Sequence, residues 1–296
     1  MGGDPQMRRI ETLEEGQARG RVKEIYKEIE RAFGVPFVGG VFRALAQYPD
    51  VLESAWNQLK PNISTQSYVD LSNDLRQRAD ALAELIFELD DLYTWMLDHN
   101  FSREDIRKVL YTLEVLHYIN PKLLLATAAI TAGVMGVKNP QIKRRRESPI
   151  TSQEPDYPNK LPQVMLEQAS NEVKEDYYDI IAIMGLLTLP DDIQALGNWP
   201  TFLRRVWSNL KPVVRSATFL EESQNLESVA IESAQELPYP VEVKSDNPEV
   251  RRILESFMSM YARMCIGISA IRWMVMEGER TARLIGRAAG ERPSEL

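Results

Sequence analysis

The chain repeats part of its own sequence, and this duplication restricts the possible folds more than any other feature. Residues 22–61 align without a gap to residues 173–212, at an offset of 151 and with 14 identities in 40 positions. The identities include the tryptophans Trp56 and Trp207, and rare residues seldom match at one register by chance. Solenoid repeats have periods of about 20–50 residues, so a longer period indicates a duplicated structural unit. We therefore expect two tandem homologous repeats packed as a pseudo-twofold dimer.

A segment rich in proline separates the two copies. Residues 138–162 contain five prolines and few apolar side chains, which is typical of an exposed connector. We predict a first helical repeat over 1–137, a linker over 138–162 and a second repeat over 163–296. The basic run Lys143–Arg146 could bind nucleic acid or act as a targeting signal. A solvated linker is the simpler interpretation, because the run is isolated in an acidic chain.

The spacing of apolar residues is helical in both copies. Apolar residues recur at intervals of three and four over Leu71–Leu97 and again over Val250–Arg283, and this spacing predicts amphipathic helices. Ser102, followed by acidic residues, predicts the N-cap of a further helix. No segment alternates between apolar and polar residues over a convincing length. The sequence therefore predicts an all-α fold with one active site at the seam between the repeats.

Charge and hydrophobicity exclude several classes of function. The chain has 35 Lys and Arg against 43 Asp and Glu, a formal net charge of −8, which disfavours sequence-independent binding to phosphate backbones. The longest apolar run, Leu123–Val137, is 15 residues and shorter than the roughly 20 needed to cross a bilayer. We expect a cytoplasmic protein without nucleic-acid or membrane partners.

Few residues suit a metal centre or a thiol nucleophile. A single cysteine, Cys265, excludes an intramolecular disulfide and a cysteine-based zinc site, and only two histidines are present, His99 and His117. Cys265 could be a nucleophile and His117 a base. Because both lie in apolar helical stretches, a structural role is the simpler interpretation. We expect no metal and no cofactor.

A single active site at the seam must use residues that the copies do not share. At the offset of 151, Asp191 and Asp192 correspond to Gly40 and Val41, so only the second copy has a carboxylate pair there. Either aspartate could instead cap the helix that begins after Pro190. The second asymmetry is the amide of Asn120 in an apolar helical stretch.

Asn120 precedes Pro121, and this position allows two interpretations. The amide could satisfy backbone groups that a proline kink leaves open. Alternatively, it could face the seam together with the acid of the other copy. The sequence leaves both possibilities open.

Four strings carry a family resemblance: VPFVGGVFRALAQYP, YINPKLLLATA, LPDDIQALGNWP and FMSMYARM. They occur in this order across both halves, and they resemble the group I 2-haloacid dehalogenases, the all-α DL-2-haloacid family. The resemblance covers nearly the whole chain. It implies a pseudo-dimer of two helical repeats, a small halocarboxylate as substrate and a possible homodimer.

The resemblance also implies a reaction. An aspartate activates water, which attacks the α carbon of a short 2-haloalkanoic acid directly, inverts it and forms no covalent ester. The family's catalytic aspartate matches Asp192, and the asparagine that helps to hold the water matches Asn120. Burial at the seam should strengthen Asp192 as a base.

The resemblance further implies four substrate-binding positions. Phe37 stands where characterised members have tryptophan, and Gly40 stands where they have phenylalanine, which predicts a hole. Asp191 replaces a serine and would repel a carboxylate substrate unless it is protonated, paired or turned away. Tyr261 matches a tyrosine of the family's pocket and could supply a hydroxyl.

Two alternatives remain open at this point. A diverged member of the family could act on another small carboxylate, which the changes at Gly40 and Asp191 would favour. A non-catalytic helical binding protein could use the same scaffold, which a seam without a cavity would favour.

Overall fold

All regular secondary structure in the described part of the chain is helical, as predicted. The structure is a computed structural model that describes residues 9–137, 147–150, 157 and 160–288. Most of the predicted linker, including the basic run Lys143–Arg146, lies outside the described residues. The boundaries of the two repeats therefore stay a prediction.

The helices of the two halves follow the same order. The first half contains α1 (Gly20–Phe33), α2 (Gly40–Leu45), α3 (Pro49–Ile63), α4 (Gln66–Ile86), α5 (Leu92–Asp98) and α6 (Arg103–Met135). The second half contains α7 (Asn171–Met184), α8 (Asp191–Leu196), α9 (Pro200–Val213), α10 (Ala217–Glu236) and α11 (Pro248–Ala288). Helices α7 to α10 begin 151 residues after α1 to α4, which is the offset of the sequence repeat.

Identities in the repeat mark the ends of helices. Gly34 and Gly185 end α1 and α7 with φ of 67° and 61°, a left-handed conformation that glycine adopts without strain. Pro49 and Pro200 are the first residues of α3 and α9. The backbone N–H at this position has no partner within a helix, so its absence in proline costs no hydrogen bond. The same residue types thus fix the same boundaries in each half.

The helical prediction over Leu71–Leu97 is confirmed for most of its length, but the region forms two helices, because α4 ends at Ile86. Phe87 adopts extended backbone with φ of −102° and ψ of 144°, and its side chain is buried. Leu85 and Leu89, which belong to the apolar residues spaced at intervals of three and four in this range, are 76% and 55% exposed. Tertiary burial of one phenylalanine has overridden the local pattern, and α5 follows as a separate short helix.

Two long helices form the centre of the molecule. Helix α11 packs along α6, and α4 and α10 pack against both. The predicted N-cap of α6 is confirmed, since Ser102 and Asp105 form a reciprocal capping box. Helix α6 is long and apolar enough to cross a membrane, but 83% of its most apolar window is buried, as in the core helix of a globular protein. The site described next lies where α6 meets α8.

Candidate active site

The structure brings the two predicted catalytic residues into contact. Asn120 Nδ2 on α6 donates a hydrogen bond to Asp192 Oδ1 on α8 at 2.5 Å. Both residues are 2% exposed. The contact joins residues from the two halves of the chain, as a site at the seam requires.

The capping interpretation of the aspartates is wrong. Pro190 occupies the N-cap of α8, and no side chain forms a capping hydrogen bond there. Asp191 and Asp192 are instead the first and second residues of the helix. The carboxylate of Asp192 instead accepts a hydrogen bond from the side-chain amide of Asn120.

Burial dominates the electrostatics of Asp192. Burial raises the pKa of this carboxyl group, the hydrogen bond from Asn120 lowers it and the neighbouring charge of Asp191 raises it, and the resulting pKa is about 7. A general base works best when its pKa is near the operating pH. Asp192 is therefore a much stronger base than an exposed aspartate, whose pKa is about 3.9.

Asp191 forms an ion pair with Arg43, so its charge is compensated within the site. Its carboxylate accepts a hydrogen bond from Arg43 Nη2, and Arg43 Nη1 donates to Glu14 Oε2 at 2.6 Å. Burial raises the pKa of Asp191, whereas the guanidinium lowers it. The structure therefore shows an ion-paired acid in place of an isolated repulsive charge.

Arg43 is a site residue that the sequence reasoning missed. At the offset of 151 it corresponds to Gln194, so the first copy has a cation where the second has an amide. Comparing the copies in both directions would have found this signal. The sequence reasoning considered only acidic residues that are confined to the second copy, so it did not identify a cationic residue that is confined to the first.

The space next to the Cα of Gly40 is occupied by a side chain of another helix, which corrects the predicted hole, and Gly40 also borders the cavity described below. A Cβ atom at Gly40 would lie 2.8 Å from Phe257 Cε1 and 3.3 Å from Phe257 Cζ. The ring of Phe257, on α11, therefore fills the space that glycine leaves. Phe257 is a second residue that the sequence reasoning did not assign to the site, although it begins one of the strings that carry the resemblance.

Tyr261 and Phe37 have different positions. The Tyr261 hydroxyl accepts a hydrogen bond from the backbone N–H of Val41 at 3.3 Å, and its ring lies 5.7 Å from that of Phe257. Burial raises the pKa of Tyr261, so its hydroxyl stays neutral. Phe37 is half-buried and packs against the core. It is not among the described residues that line the cavity beside the site.

This cavity has a volume of about 450 Å³, within the range of about 300–1,000 Å³ typical of small-molecule sites. Gly40, Arg43, Asp191 and Phe257 contribute to its wall. Asp192 follows Asp191 directly in α8 and is not among the described residues that line the cavity. Within the described part of the chain, no group of three or more His, Cys, Asp or Glu could hold a metal ion.

His117 and Cys265 occupy structural positions. His117 Nε2 and the Ser269 hydroxyl each lie 2.7 Å from Asp80 Oδ1, so the histidine belongs to a small polar cluster around Asp80. Cys265 is 3% exposed, and burial raises the pKa of its thiol well above its usual value. A buried thiol with a raised pKa is a poor nucleophile.

Fold and site together define a class: all-helical proteins with a buried Asp–Asn pair, contributed by two halves of the chain, beside a cavity. Residues 36–193 match the family described as "Halocarboxylic acid dehydrogenase DehI". The chain belongs to this DehI family.

Named relatives point to one kind of chemistry. The (R)-2-haloacid dehalogenase of Rhizobium sp. (strain NHG3) is 27% identical over 80% of this chain and 91% of its own length. The (R)-2-haloacid dehalogenase of Pseudomonas putida is 25% identical over 90% of this chain and 88% of its own. A configuration-inverting 2-haloacid dehalogenase of Pseudomonas sp. (strain 113) is 25% identical over 78% and 76%.

A solved structure shares the fold. The complex of a D-2-haloacid dehalogenase mutant with D-2-CPA superposes with a TM-score of 0.80. The match covers 90% of this chain and 95% of the other, at 22% identity. The helical architecture described above is therefore the D-2-haloacid dehalogenase fold.

Proposed function

We propose that this chain is a hydrolase of carbon–halogen bonds that acts on short 2-haloalkanoic acids without a cofactor. The observation that carries the proposal is the buried hydrogen bond between Asn120 and Asp192 beside the cavity. The family and the names of the relatives support the substrate class. The raised pKa of Asp192 supports its role as the base.

Water is the weak reactant in this chemistry, because a halide leaves readily without acid assistance. In the proposed reaction, Asp192 accepts a proton from water while the water oxygen attacks the α carbon. The carbon–halogen bond breaks, and the halide leaves with the bonding electron pair. Asn120 fixes one carboxylate oxygen of Asp192, which leaves the other to orient the water.

Direct attack by water predicts inversion at the α carbon, because the oxygen enters opposite the departing halide. The configuration-inverting relative supports this outcome. If Asp192 attacked the carbon itself, a covalent ester would form and one carboxylate oxygen would enter the product. A single turnover in ¹⁸O-labelled water distinguishes the two routes. We expect labelled product from the first turnover, and unlabelled product would contradict direct hydrolysis.

The decisive measurement is halide release from both enantiomers of 2-chloropropionate. We expect Asp192→Asn to lower kcat by about 10²–10⁴-fold, the usual contribution of a general base. Asp179→Asn is the matched control, since Asp179 is paired with Lys211 and does not line the cavity. Unchanged turnover in Asp192→Asn would overturn the proposed role of that residue.

A second candidate function is the displacement or hydration chemistry of another small carboxylate. The ion pair of Arg43 and Asp191 in the cavity wall favours it, because the family pattern has a serine at position 191. A panel of short halogenated and non-halogenated acids separates the candidates. Consumption of a non-halogenated acid without halide release would favour the second.

A further inference from the structure

Arg43 is a buried cation at the wall of the cavity, and its two acidic partners differ in environment. The side chain of Arg43 is 7% exposed, that of Asp191 is 12% exposed, and that of Glu14 is 34% exposed. Arg43 Nε is buried without a hydrogen-bond partner among the described residues. The two acids therefore leave part of the guanidinium's hydrogen-bonding capacity unused.

Glu14 can leave the guanidinium without disturbing its backbone. The segment that carries it is attached to α2 by the hydrogen bond from the Leu13 backbone N–H to the Arg43 carbonyl at 2.9 Å. The carboxylate of Glu14 also accepts from the Thr12 hydroxyl at 2.7 Å, which belongs to the same segment. Rotation of the Glu14 side chain would break the hydrogen bond from Thr12, expose Arg43 to the cavity and leave the main-chain hydrogen bond of Leu13 in place.

We propose that Arg43 binds the carboxylate of the substrate and that Glu14 occupies this position while the cavity is empty. The proposal rests on the function proposed above. In the exchange one carboxylate replaces another, so the charge of the buried cluster stays the same. Asp191 remains as the fixed counter-ion that keeps the guanidinium in place.

This exchange gives the acid at position 191 a function. Without Arg43, Asp191 would repel an anionic substrate. With Arg43, it orients a guanidinium that can form charge-assisted hydrogen bonds to a carboxylate, which are about twice as strong as neutral ones. The cation of the first repeat and the acid of the second thus form one binding group.

The test measures KM for 2-chloropropionate and, separately, the dissociation constant of propionate by calorimetry. Glu14→Gln removes the competing charge, so both constants should fall by about 3–10-fold. Arg43→Gln should raise both by about 10–100-fold, the range expected for hydrogen bonds to a charged group. Glu15→Gln is the control, since Glu15 lies one residue away and its carboxylate accepts only from the Val38 backbone N–H in the described contacts.

Arg43→Gln leaves Asp191 buried without its counter-ion and could fail to fold. The double variant Arg43→Gln/Asp191→Asn removes both charges together and should also bind propionate about 10–100-fold more weakly. Unchanged or weaker propionate binding in Glu14→Gln would overturn the exchange. Wild-type propionate affinity in a folded double variant would overturn the role of Arg43.

The two proposals fail separately. If the wild type releases no halide but Glu14→Gln tightens propionate binding, the carboxylate site stands and the dehalogenase proposal falls. If halide is released with a KM that is the same in the wild type, Glu14→Gln and the double variant, the enzyme stands and the assignment of Arg43 falls.

Discussion

The two halves of the chain agree in a structural contact at their outer helices and differ at the cavity. In the first half, Trp56 Nε1 and Lys60 Nζ both donate to Glu28 Oε2, at 2.8 and 2.9 Å. In the second half, Trp207 Nε1 and Lys211 Nζ both donate to Asp179 Oδ2, at 2.7 Å each. The three positions are related by the repeat offset of 151.

The short helices α2 and α8 show the opposite behaviour. Each has six residues, and they begin 151 positions apart. Helix α2 begins with Gly40 and Val41, whereas α8 begins with Asp191 and Asp192. The contacts that connect helices within each half are therefore kept, while the polar groups at the seam have diverged. The proposed chemistry therefore depends on positions at which the two halves differ.

After the loss expected for Asp192→Asn, the next largest effect on kcat is expected from removing the amide of the site. Asn120→Ala should lower kcat by about 10–100-fold, because the buried Asp192 loses the donor that orients it. The same donor lowers the pKa of Asp192, so the acidic limb of the pH–rate profile should move above its position near pH 7. Steady-state kinetics from pH 5 to 9 measure both effects.

Thr127→Ala is the control for the Asn120 variant. Thr127 is buried in the same helix and donates only within it, to the Leu123 carbonyl at 2.7 Å. This control should keep the wild-type profile. A loss of kcat in Asn120→Ala without any movement of the acidic limb would argue that the amide supports the fold and does not tune Asp192.

A smaller effect is expected in the pH dependence of stability. The pKa of Asp192 is raised in the folded protein and that of Asp179 is lowered, so the two acids change stability with pH in opposite directions. The pKa of Asp192 is higher in the folded protein than in the unfolded chain. Stability is therefore lost as pH rises from about 4 to above 7, where the buried group must ionise. Asp192→Asn removes this penalty and should raise the free energy of unfolding at pH 8 by roughly 1–3 kcal/mol.

Asp179 provides the comparison. The hydrogen bonds from Lys211 and Trp207 lower its pKa, so its contribution to stability is present at neutral pH and disappears as pH falls through the folded pKa. Asp179→Asn should therefore lower stability at pH 8 and match the wild type in acid. Urea unfolding at pH 8 and at a pH below the folded pKa of Asp179 measures both variants. Changes of the same sign at pH 8 would contradict the division between the two regions.

The sequence predicted the parts of this molecule that depend on matching residues. Gly34 with Gly185 and Pro49 with Pro200 are identities that the alignment shows, and the structure places them at the same helix ends in both halves. Asp192 and Asn120 were found as polar residues without an equivalent in the other copy. A single active site between the repeats predicted that these two side chains face each other, and the hydrogen bond between them confirms this.

The remaining features depend on side chains that meet across helices far apart in sequence. The ring of Phe257 fills the space at Gly40, and Arg43 pairs with Asp191; neither contact leaves a local pattern in the chain. The break at Phe87 has the same origin, because tertiary burial outweighed a helical periodicity. Positions of this kind require the packed structure.

The smallest expected effect tests whether the contacts shared by the halves are equivalent. Trp56→Phe and Trp207→Phe each remove one hydrogen bond to a carboxylate and some buried ring surface. Each should lower the free energy of unfolding by about 1–2 kcal/mol and leave kcat within about twofold, because neither tryptophan lines the described cavity. Urea unfolding and halide release measure the two quantities. A loss of kcat confined to one variant would show that the equivalent tryptophan contacts have also diverged. The two halves would then no longer share structural contacts while differing only at the cavity.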